Sequence, residues 1–156
     1  MAQRIHEYCE KLAYIIEDND WNVPDNELEK ADFDFVKTSL YKSYAIVEKC
    51  MNERETKAGR RNQVLYSLGC IDQTSFDYSD VEKVVRENFP NSTSGVTLGI
   101  SQILSDLAKD DMNLLRKTPK GNSYRFADPK YLMCIRLMLS LNSEKETVSK
   151  KHLLLR

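Results

Sequence analysis

A single pair of short strand-like runs interrupts a chain whose other apolar residues recur at helical spacing. The two runs, residues 114–117 and 123–126, flank a five-residue tip, TPKGN, which is longer than a tight two-residue turn. Pro119 and Gly121 in this tip favour a reversal of the chain. The pattern therefore predicts a mostly α fold with a small β-hairpin.

The N-terminal part of the chain predicts two helices. In the first, apolar residues recur every three or four positions: Ile5, Tyr8, Leu12, Ile15 and Ile16. The second helix is predicted over residues 32–51, with one apolar side: Val36, Leu40, Tyr44, Val47 and Met51. Between them, we expect Trp21 to fill the core, and we expect Tyr41 to pack there together with Tyr44.

Residues 52–61 are charged and show no periodicity, so they mark a candidate domain boundary. Residues 1–58 carry 13 acidic and 8 basic side chains, a net charge of −5, whereas residues 59–156 carry 11 and 15, a net charge of +4. This shift indicates two parts with different partners. We divide the chain into a helical segment (1–56), a second domain (57–141) and a flexible tail (142–156).

The second domain shows a mixed order of elements. Residues 63–69 predict a short helix and residues 74–78 an extended piece. Ser79 and Glu82 have the spacing of a capping box that opens a helix over residues 80–88. After a turn at residues 90–95, a third helix is predicted over residues 96–110, burying Ile100, Ile103, Leu104 and Leu107. Asp128 and Pro129 then favour the start of a closing helix that runs to about residue 141.

The predicted elements follow the order of a winged helix-turn-helix: helix, short strand, helix, turn, helix and a hairpin with a basic tip. Residues 60–140 contain each part at about the expected length. The fold prediction is thus a helical N-terminal segment followed by a winged helix-turn-helix.

Two strings also resemble a known family. YRFADPKY, at residues 124–131, resembles the end of prokaryotic ATPases of the AAA+ and STAND superclass, which are related to the origin-recognition initiator ATPases. In these proteins a helical lid and then a winged helix follow the nucleotide-binding core. RIHEYCEKLA, at residues 4–13, resembles the start of the lid helix, which often carries an arginine that senses the γ-phosphate. The resemblance covers most of residues 4–140 and implies Arg4 as a nucleotide-sensing residue.

The chain contains no phosphate-binding G-x-x-x-x-G-K-[ST] loop and no apolar strand ending in acidic residues that would hold Mg²⁺. We therefore expect this chain not to be an enzyme and to have no catalytic residue. ATP and Mg²⁺ are expected only in the core of a parent ATPase, so the chain itself is predicted to bind no cofactor. It is interpreted as the C-terminal fragment of such a protein.

Nucleic-acid binding is indicated by the predicted hairpin and its surroundings. Residues 114–136 carry six Lys or Arg side chains and one acid, Asp128, and such a cluster neutralises phosphates. The outward side of the third helix is polar and would face a major groove. The candidate DNA-binding residues are Thr97, Ser101, Gln102, Ser105, Arg116, Lys117, Lys120, Asn122 and Arg125. Against this, Asp106, Asp110 and Asp111 are expected to repel phosphates.

Two other interpretations stay open. In the first, the winged helix docks on the ATPase core or on a partner subunit and has no role with nucleic acid. In the second, the chain is a free-standing transcription regulator whose two N-terminal helices form a dimer interface. Duplex DNA, an ATPase core and a partner subunit are therefore the expected partners.

The cysteines, the most apolar stretch and His6 bear on cellular location, metal binding and catalysis. The four cysteines lack metal-binding spacing, which predicts reduced thiols, a cytoplasmic protein and no metal site. Tyr131 to Leu139 is the most apolar stretch, but it is short and contains Arg136, so no membrane partner is expected. His6 has no catalytic partner at a recognisable spacing, and we expect it to pack in the lid or lie at the surface.

Overall fold

Eight helices and two antiparallel hairpins make up the part of the chain that the computed structural model describes, residues 2–51 and 59–151. The helices are α1 (Ala2–Asp18), α2 (Asp25–Thr38), α3 (Tyr41–Cys50), α4 (Arg60–Gly69), α5 (Tyr78–Asn88), α6 (Pro90–Thr93), α7 (Ile100–Leu107) and α8 (Pro129–Met138). The strands are β1 (Leu115–Lys117), β2 (Tyr124–Phe126), β3 (Leu139–Asn142) and β4 (Thr147–Lys150). The predicted mostly α fold with a small β-hairpin is confirmed, and the structure contains a second hairpin.

The N-terminal segment contains three helices, so the prediction of two, with one helix over residues 32–51, is wrong. The backbone N–H groups of Ser39 and Leu40 both donate to the carbonyl of Phe35, at 2.9 and 3.2 Å, and this closes α2. A new helix, α3, then begins at Tyr41. The bend was hidden in the sequence because Leu40 is itself buried, so the apolar stripe continues across the corner.

The first helix after the undescribed residues 52–58, α4, begins three residues earlier than predicted, and α5 begins two residues earlier. The N-cap of α5 is Asp77, so the capping box predicted at Ser79 is wrong. The Asp77 carboxylate accepts from the Asp80 N–H at 3.0 Å, and the Asp80 carboxylate accepts from the Asp77 N–H at 3.0 Å. The helix can start this early because Phe76, directly before the cap, is held by two backbone hydrogen bonds to Tyr124.

The region between α5 and β1 differs from the prediction in two places. The expected turn at residues 90–95 contains the short helix α6, and the predicted third helix over residues 96–110 is reduced to α7. Gly99, at the N-cap, has φ +66°, a left-handed conformation that glycine adopts without a Cβ clash. At the other end, Asn113 has φ +48°, and its N–H donates to the carbonyl of Lys109 at 2.7 Å. These two reversals limit α7 to eight residues.

The predicted hairpin is present. β1 and β2 are antiparallel, with Leu115 opposite Phe126, Arg116 opposite Arg125 and Lys117 opposite Tyr124. Thr118 donates to the carbonyl of Ser123 at 2.9 Å, which closes the tip. The bridge between Phe76 and Tyr124 adds a short third segment beside β2. Residues 60–126 therefore follow the element order that the sequence predicts.

The closing helix α8 joins the two predicted parts. Asp128 caps it by accepting from the Lys130 N–H at 2.9 Å, and Pro129 occupies its first turn, as predicted. α8 packs against α2, α3 and α4. One continuous hydrophobic core contains residues of both parts, for example Phe35 and Val47 with Leu68 and Leu104. The core is not divided between residues 56 and 57, although the boundary residues 52–58 lie outside the described part of the chain.

The prediction of a flexible tail from residue 142 is wrong for residues 142–150. The closing helix ends at Met138, and the chain then forms β3 and β4, which pack against α4. Val148 is buried. Glu146 is also buried, and its two carboxylate oxygens accept from the N–H groups of Asn91 and Ser92, at 2.8 and 2.6 Å. Val148 is the one buried residue of β4, and Glu146 lies in the turn before it, so the sequence shows no periodicity that would indicate a strand here. Residues 152–156 lie outside the described residues.

Candidate nucleic-acid interface

The polar side of α7 is exposed, as predicted. Ile100, Leu104 and Leu107 are fully buried, whereas Ile103 is only partly buried. On the other side, Ser101 and Gln102 are exposed, and Ser105 is half-buried. Thr97 is exposed too, but it lies in the loop before α7 rather than on the helix. The structure thus groups three of the four polar candidates on one helical face.

The acidic residue at the centre of this face is surrounded by cations. The Asp106 carboxylate accepts from the Gln102 side chain at 3.0 Å and forms ion pairs with Lys109 at 2.7 Å and Arg61 at 3.7 Å. The hydrogen bond from Lys109 is the main cause of the lowered pKa of Asp106. Because two cations surround one carboxylate, the repulsion of phosphate expected from Asp106 is offset locally.

Arg61 is a residue that the sequence reasoning missed. It belongs to the charged stretch interpreted as a boundary, yet it lies near the start of α4, half-buried and within reach of α7. The only signal in the sequence was the pair Arg60-Arg61, two residues ahead of the apolar run that begins at Val64. Nothing in that pattern indicates which helix the side chain would meet.

The four basic residues of the first hairpin are all exposed: Arg116, Lys117, Lys120 and Arg125. Asn122, the polar candidate in the tip, is exposed as well. Neither arginine and neither lysine among them forms an ion pair with any described residue. Strand alternation divides them between two faces. Arg116 and Arg125 share one face, whereas Lys117 lies on the other, with its Nζ 5.9 Å from the centre of the Tyr124 ring.

Arg116 and Arg125 line a cleft of about 370 Å³. Its other walls come from residues 72–74 and from the start of α8, where Pro129 and Leu132 contribute apolar surface. No residue of α7 lines this cleft. The structure therefore does not bring the two arginines and the α7 residues together in one site.

Arg4 is engaged within α1. Its guanidinium forms an ion pair with Glu7 at 2.8 Å, and this hydrogen bond is the main cause of the lowered pKa of Glu7. Arg4 also borders a cavity at the corner between α2 and α3. The nucleotide-sensing role that the resemblance implies stays a prediction.

Two aromatic residues expected in the core lie at the surface. Trp21 is 86% exposed, because it follows α1 in a left-handed turn with φ +66° that projects the ring outward. Tyr44 is buried as predicted, but Tyr41, at the first position of α3, is 57% exposed. The predicted core positions of Trp21 and Tyr41 are therefore wrong, and that of Tyr44 is confirmed. His6 lies at the surface of α1.

The four cysteines are free thiols. Burial raises the pKa of Cys50 to about 11 and that of Cys134 to about 12, whereas Cys9 and Cys70 are exposed. Over residues 2–51 and 59–151, no three His, Cys, Asp or Glu side chains gather in a way that could hold a metal ion. In the same ranges no helix has both the length and the apolar character needed to cross a bilayer.

Comparison of the chain with protein-family models, with curated proteins and with solved structures finds no match.

Proposed function

We propose that residues 59–138 form a winged helix that binds duplex DNA, with α7 in the major groove and the first hairpin on the phosphate backbone. One observation carries the proposal. Arg116, Lys117, Lys120 and Arg125 are four exposed cations on one small hairpin, without an acidic partner among the described residues. Such unpaired cations gain most from a polyanion, because each phosphate contact releases counterions.

The surroundings of α7 support the same function. The exposed hydroxyl and amide groups of Ser101 and Gln102 suit contacts to base edges or phosphates. Arg61 and Lys109 lie beside them and balance Asp106. Since no exposed arginine lies on α7 itself, the proposed binding is mostly independent of sequence, with positions set by phosphate contacts.

The test is a titration of the full chain with a fluorescent DNA duplex at several salt concentrations. The double variant K117A/K120A removes two cations from the hairpin, and we expect weaker binding and a salt slope that is smaller by roughly 2. The matched control is K30A/K145A, which removes two exposed lysines on α2 and on the second hairpin. Equal loss of affinity in both double variants would reduce the proposal to a general charge effect, and no binding by the unaltered chain would overturn it.

A second candidate function is docking on a protein, and a different surface favours it. α1 has no buried residue, and large apolar side chains are exposed on α1 and α2 and in the turn between them: Ile5, Tyr14, Trp21 and Leu28. Exposed apolar residues in this number suit a protein interface. The resemblance implies an ATPase core as the partner, and this core would hold the ATP and Mg²⁺. In this proposal the chain acts in the cytoplasm as a binding module and not as an enzyme.

The two candidates are separated by mass and by DNA binding. Sedimentation of the unaltered chain and of W21A tests self-association. A dimer that W21A converts to a monomer would select the dimeric transcription regulator. A monomer that binds no DNA, but is cross-linked through the N-terminal helices to a supplied ATPase core, would select docking without a nucleic-acid role.

A further inference from the structure

The cleft beside the first hairpin has two chemically different sides. It encloses about 370 Å³, which lies within the range of roughly 300–1,000 Å³ that is usual for small-molecule sites. Arg116 and Arg125 make one side cationic. The other side is formed by apolar residues: Phe126, Ala127, Pro129 and Leu132. A ligand that fills the cleft therefore meets positive charge and apolar surface together.

The two arginines are placed to bind the same group. They occupy opposed positions of β1 and β2, so their Cα atoms are about 4.5–5.5 Å apart, and both side chains project from the same face of the hairpin. Neither guanidinium forms a hydrogen bond or an ion pair with any described residue. Two such groups at this spacing can both donate to the oxygens of a single carboxylate or phosphate.

The acid in the cleft lining does not cancel this charge. Among the described residues that line the cleft, Asp72 is the only acid, and its side chain is 99% exposed. It forms an ion pair with Arg136 at 3.5 Å, and Arg136 is itself held by donating to the carbonyl of Gly69 at 2.7 Å. Because Asp72 has a cation of its own, the positive charge of Arg116 and Arg125 is left for a ligand.

The apolar side of the cleft is held in place by contacts behind it. The ring of Phe126 packs edge-on against the buried ring of Phe76, with centres 6.1 Å apart. Pro129 and Leu132 lie at the start of α8, which the Asp128 cap fixes. A DNA phosphate could reach the two arginines, but it would leave this apolar side uncovered. A ligand with an apolar body would cover it and gain from its burial.

We propose that this cleft binds a small organic anion, a carboxylate or a phosphate ester, with an apolar body such as an aromatic ring. The anionic group would accept from Arg116 and Arg125, and the body would lie against the apolar residues of the cleft. The site goes beyond the proposed DNA binding and does not require it. Where it does rest on the proposed function is in one consequence: ligand and duplex would compete for the same two arginines.

The test is an NMR titration of the full, isotope-labelled chain with naphthoate, at constant ionic strength. We expect saturable shifts of the amide signals around the cleft, at residues 72–74 and 125–127. R116A and R125A each remove one charge-assisted contact and should weaken binding by about tenfold. Both arginines are exposed, so these variants should keep the fold. K117A is the matched control, because it removes a cation on the opposite face of the same hairpin, and it should bind as the unaltered chain does.

Three further probes separate the parts of the ligand. Acetate carries the anion without the ring and naphthalenemethanol the ring without the anion, and we expect each to bind at least about tenfold more weakly than naphthoate. Naphthyl phosphate identifies the anionic group, since the tighter of the two naphthyl anions shows which one the arginines prefer. The proposal would be overturned by absent or non-saturable shifts with both of them. Equal affinity for naphthalenemethanol or acetate, or equal affinities of R116A, R125A and K117A, would overturn it as well.

This titration contains no DNA, so its outcome is separate from that of the proposed function. Duplex binding without naphthoate binding would remove only the ligand site, and the reverse result would remove only the DNA-binding function. If both bind, saturating naphthoate should weaken duplex binding severalfold, and an unchanged duplex affinity would contradict the shared use of Arg116 and Arg125.

Discussion

Arg116 and Arg125 lie directly opposite each other across β1 and β2, and neither side chain has an acidic partner among the described residues. Like charges at opposed positions of an antiparallel pair destabilise the sheet. The hairpin therefore keeps an unfavourable pair at the surface of the cleft that both arginines line. A bound anion would relieve this repulsion, which is consistent with a binding role for the hairpin.

Replacing one arginine should separate stability from binding. We expect R125E to stabilise the protein by about 0.5 to 1 kcal/mol, because an opposite-charge pair replaces a repulsive one, and to weaken DNA binding. Urea unfolding and the duplex titration measure the two effects. The reciprocal variant R116E should behave alike. A loss of stability in both variants would show that the repulsion is absent.

The position of the α5 cap can be tested with two alanine variants. D77A removes the side chain that accepts from the Asp80 N–H, and it should cost about 1 kcal/mol in the free energy of unfolding. S79A, at the position that the sequence suggested, should change stability by less than about 0.5 kcal/mol. Chemical denaturation of both proteins gives the comparison, and the reverse order would contradict the structure.

Glu146 should make the stability of the protein depend on pH. Burial raises its pKa, but the N–H groups of Ser92 and Asn91 outweigh this, and its pKa in the folded protein is below the ordinary 4.5. A lowered folded pKa gives stability that is fully present above pH 4.5 and is lost as the pH falls through the folded pKa. We expect E146Q to lower the melting temperature by a few degrees at pH 7 and by less at pH 3.

The control for this experiment is E144Q, which alters an exposed acid on the same hairpin. Thermal unfolding between about pH 3 and pH 7 should give parallel curves for E144Q and the unaltered protein. Parallel curves for E146Q as well would mean that the Glu146 carboxylate does not hold the start of α6.

Gly69 should be intolerant of a side chain. A Cβ at this position would lie 2.9 Å from the Cγ2 of Ile135, a buried residue of α8. We expect G69A to cost about 1 to 3 kcal/mol from overpacking. In the background of I135A, which removes the contacting methyl group, the same change should cost much less. A double-mutant cycle by urea unfolding measures this coupling, and additive effects would contradict the close contact.

Local signals in the sequence predicted the elements that local chemistry determines. The first hairpin follows from Pro119 and Gly121 at its tip, and the start of α8 follows from Asp128 and Pro129. The exposed basic residues of the hairpin were also found, since a charged side chain on a short edge strand has few places to be buried.

Features that depend on distant contacts were not predictable. The break at Leu40 is masked because a buried leucine fits a continuing stripe as well as a corner. The second hairpin depends on Glu146 reaching Asn91 and Ser92, more than 50 positions earlier, at 2.8 and 2.6 Å. Likewise, Arg61 meets Asp106 only after α4 and α7 have packed. Sequence periodicity carries no information on such pairs.

Because α8 packs against α2, α3 and α4, it contacts both the N-terminal helices and the second part of the chain. Because this helix forms an inner wall for the N-terminal helices and for α4 alike, neither half of the chain has a complete interior of its own. Two separately produced halves should each remain poorly ordered, and mixing them should restore a folded complex. If the halves reassemble in this way, folding of the complex would report that the two fragments have associated.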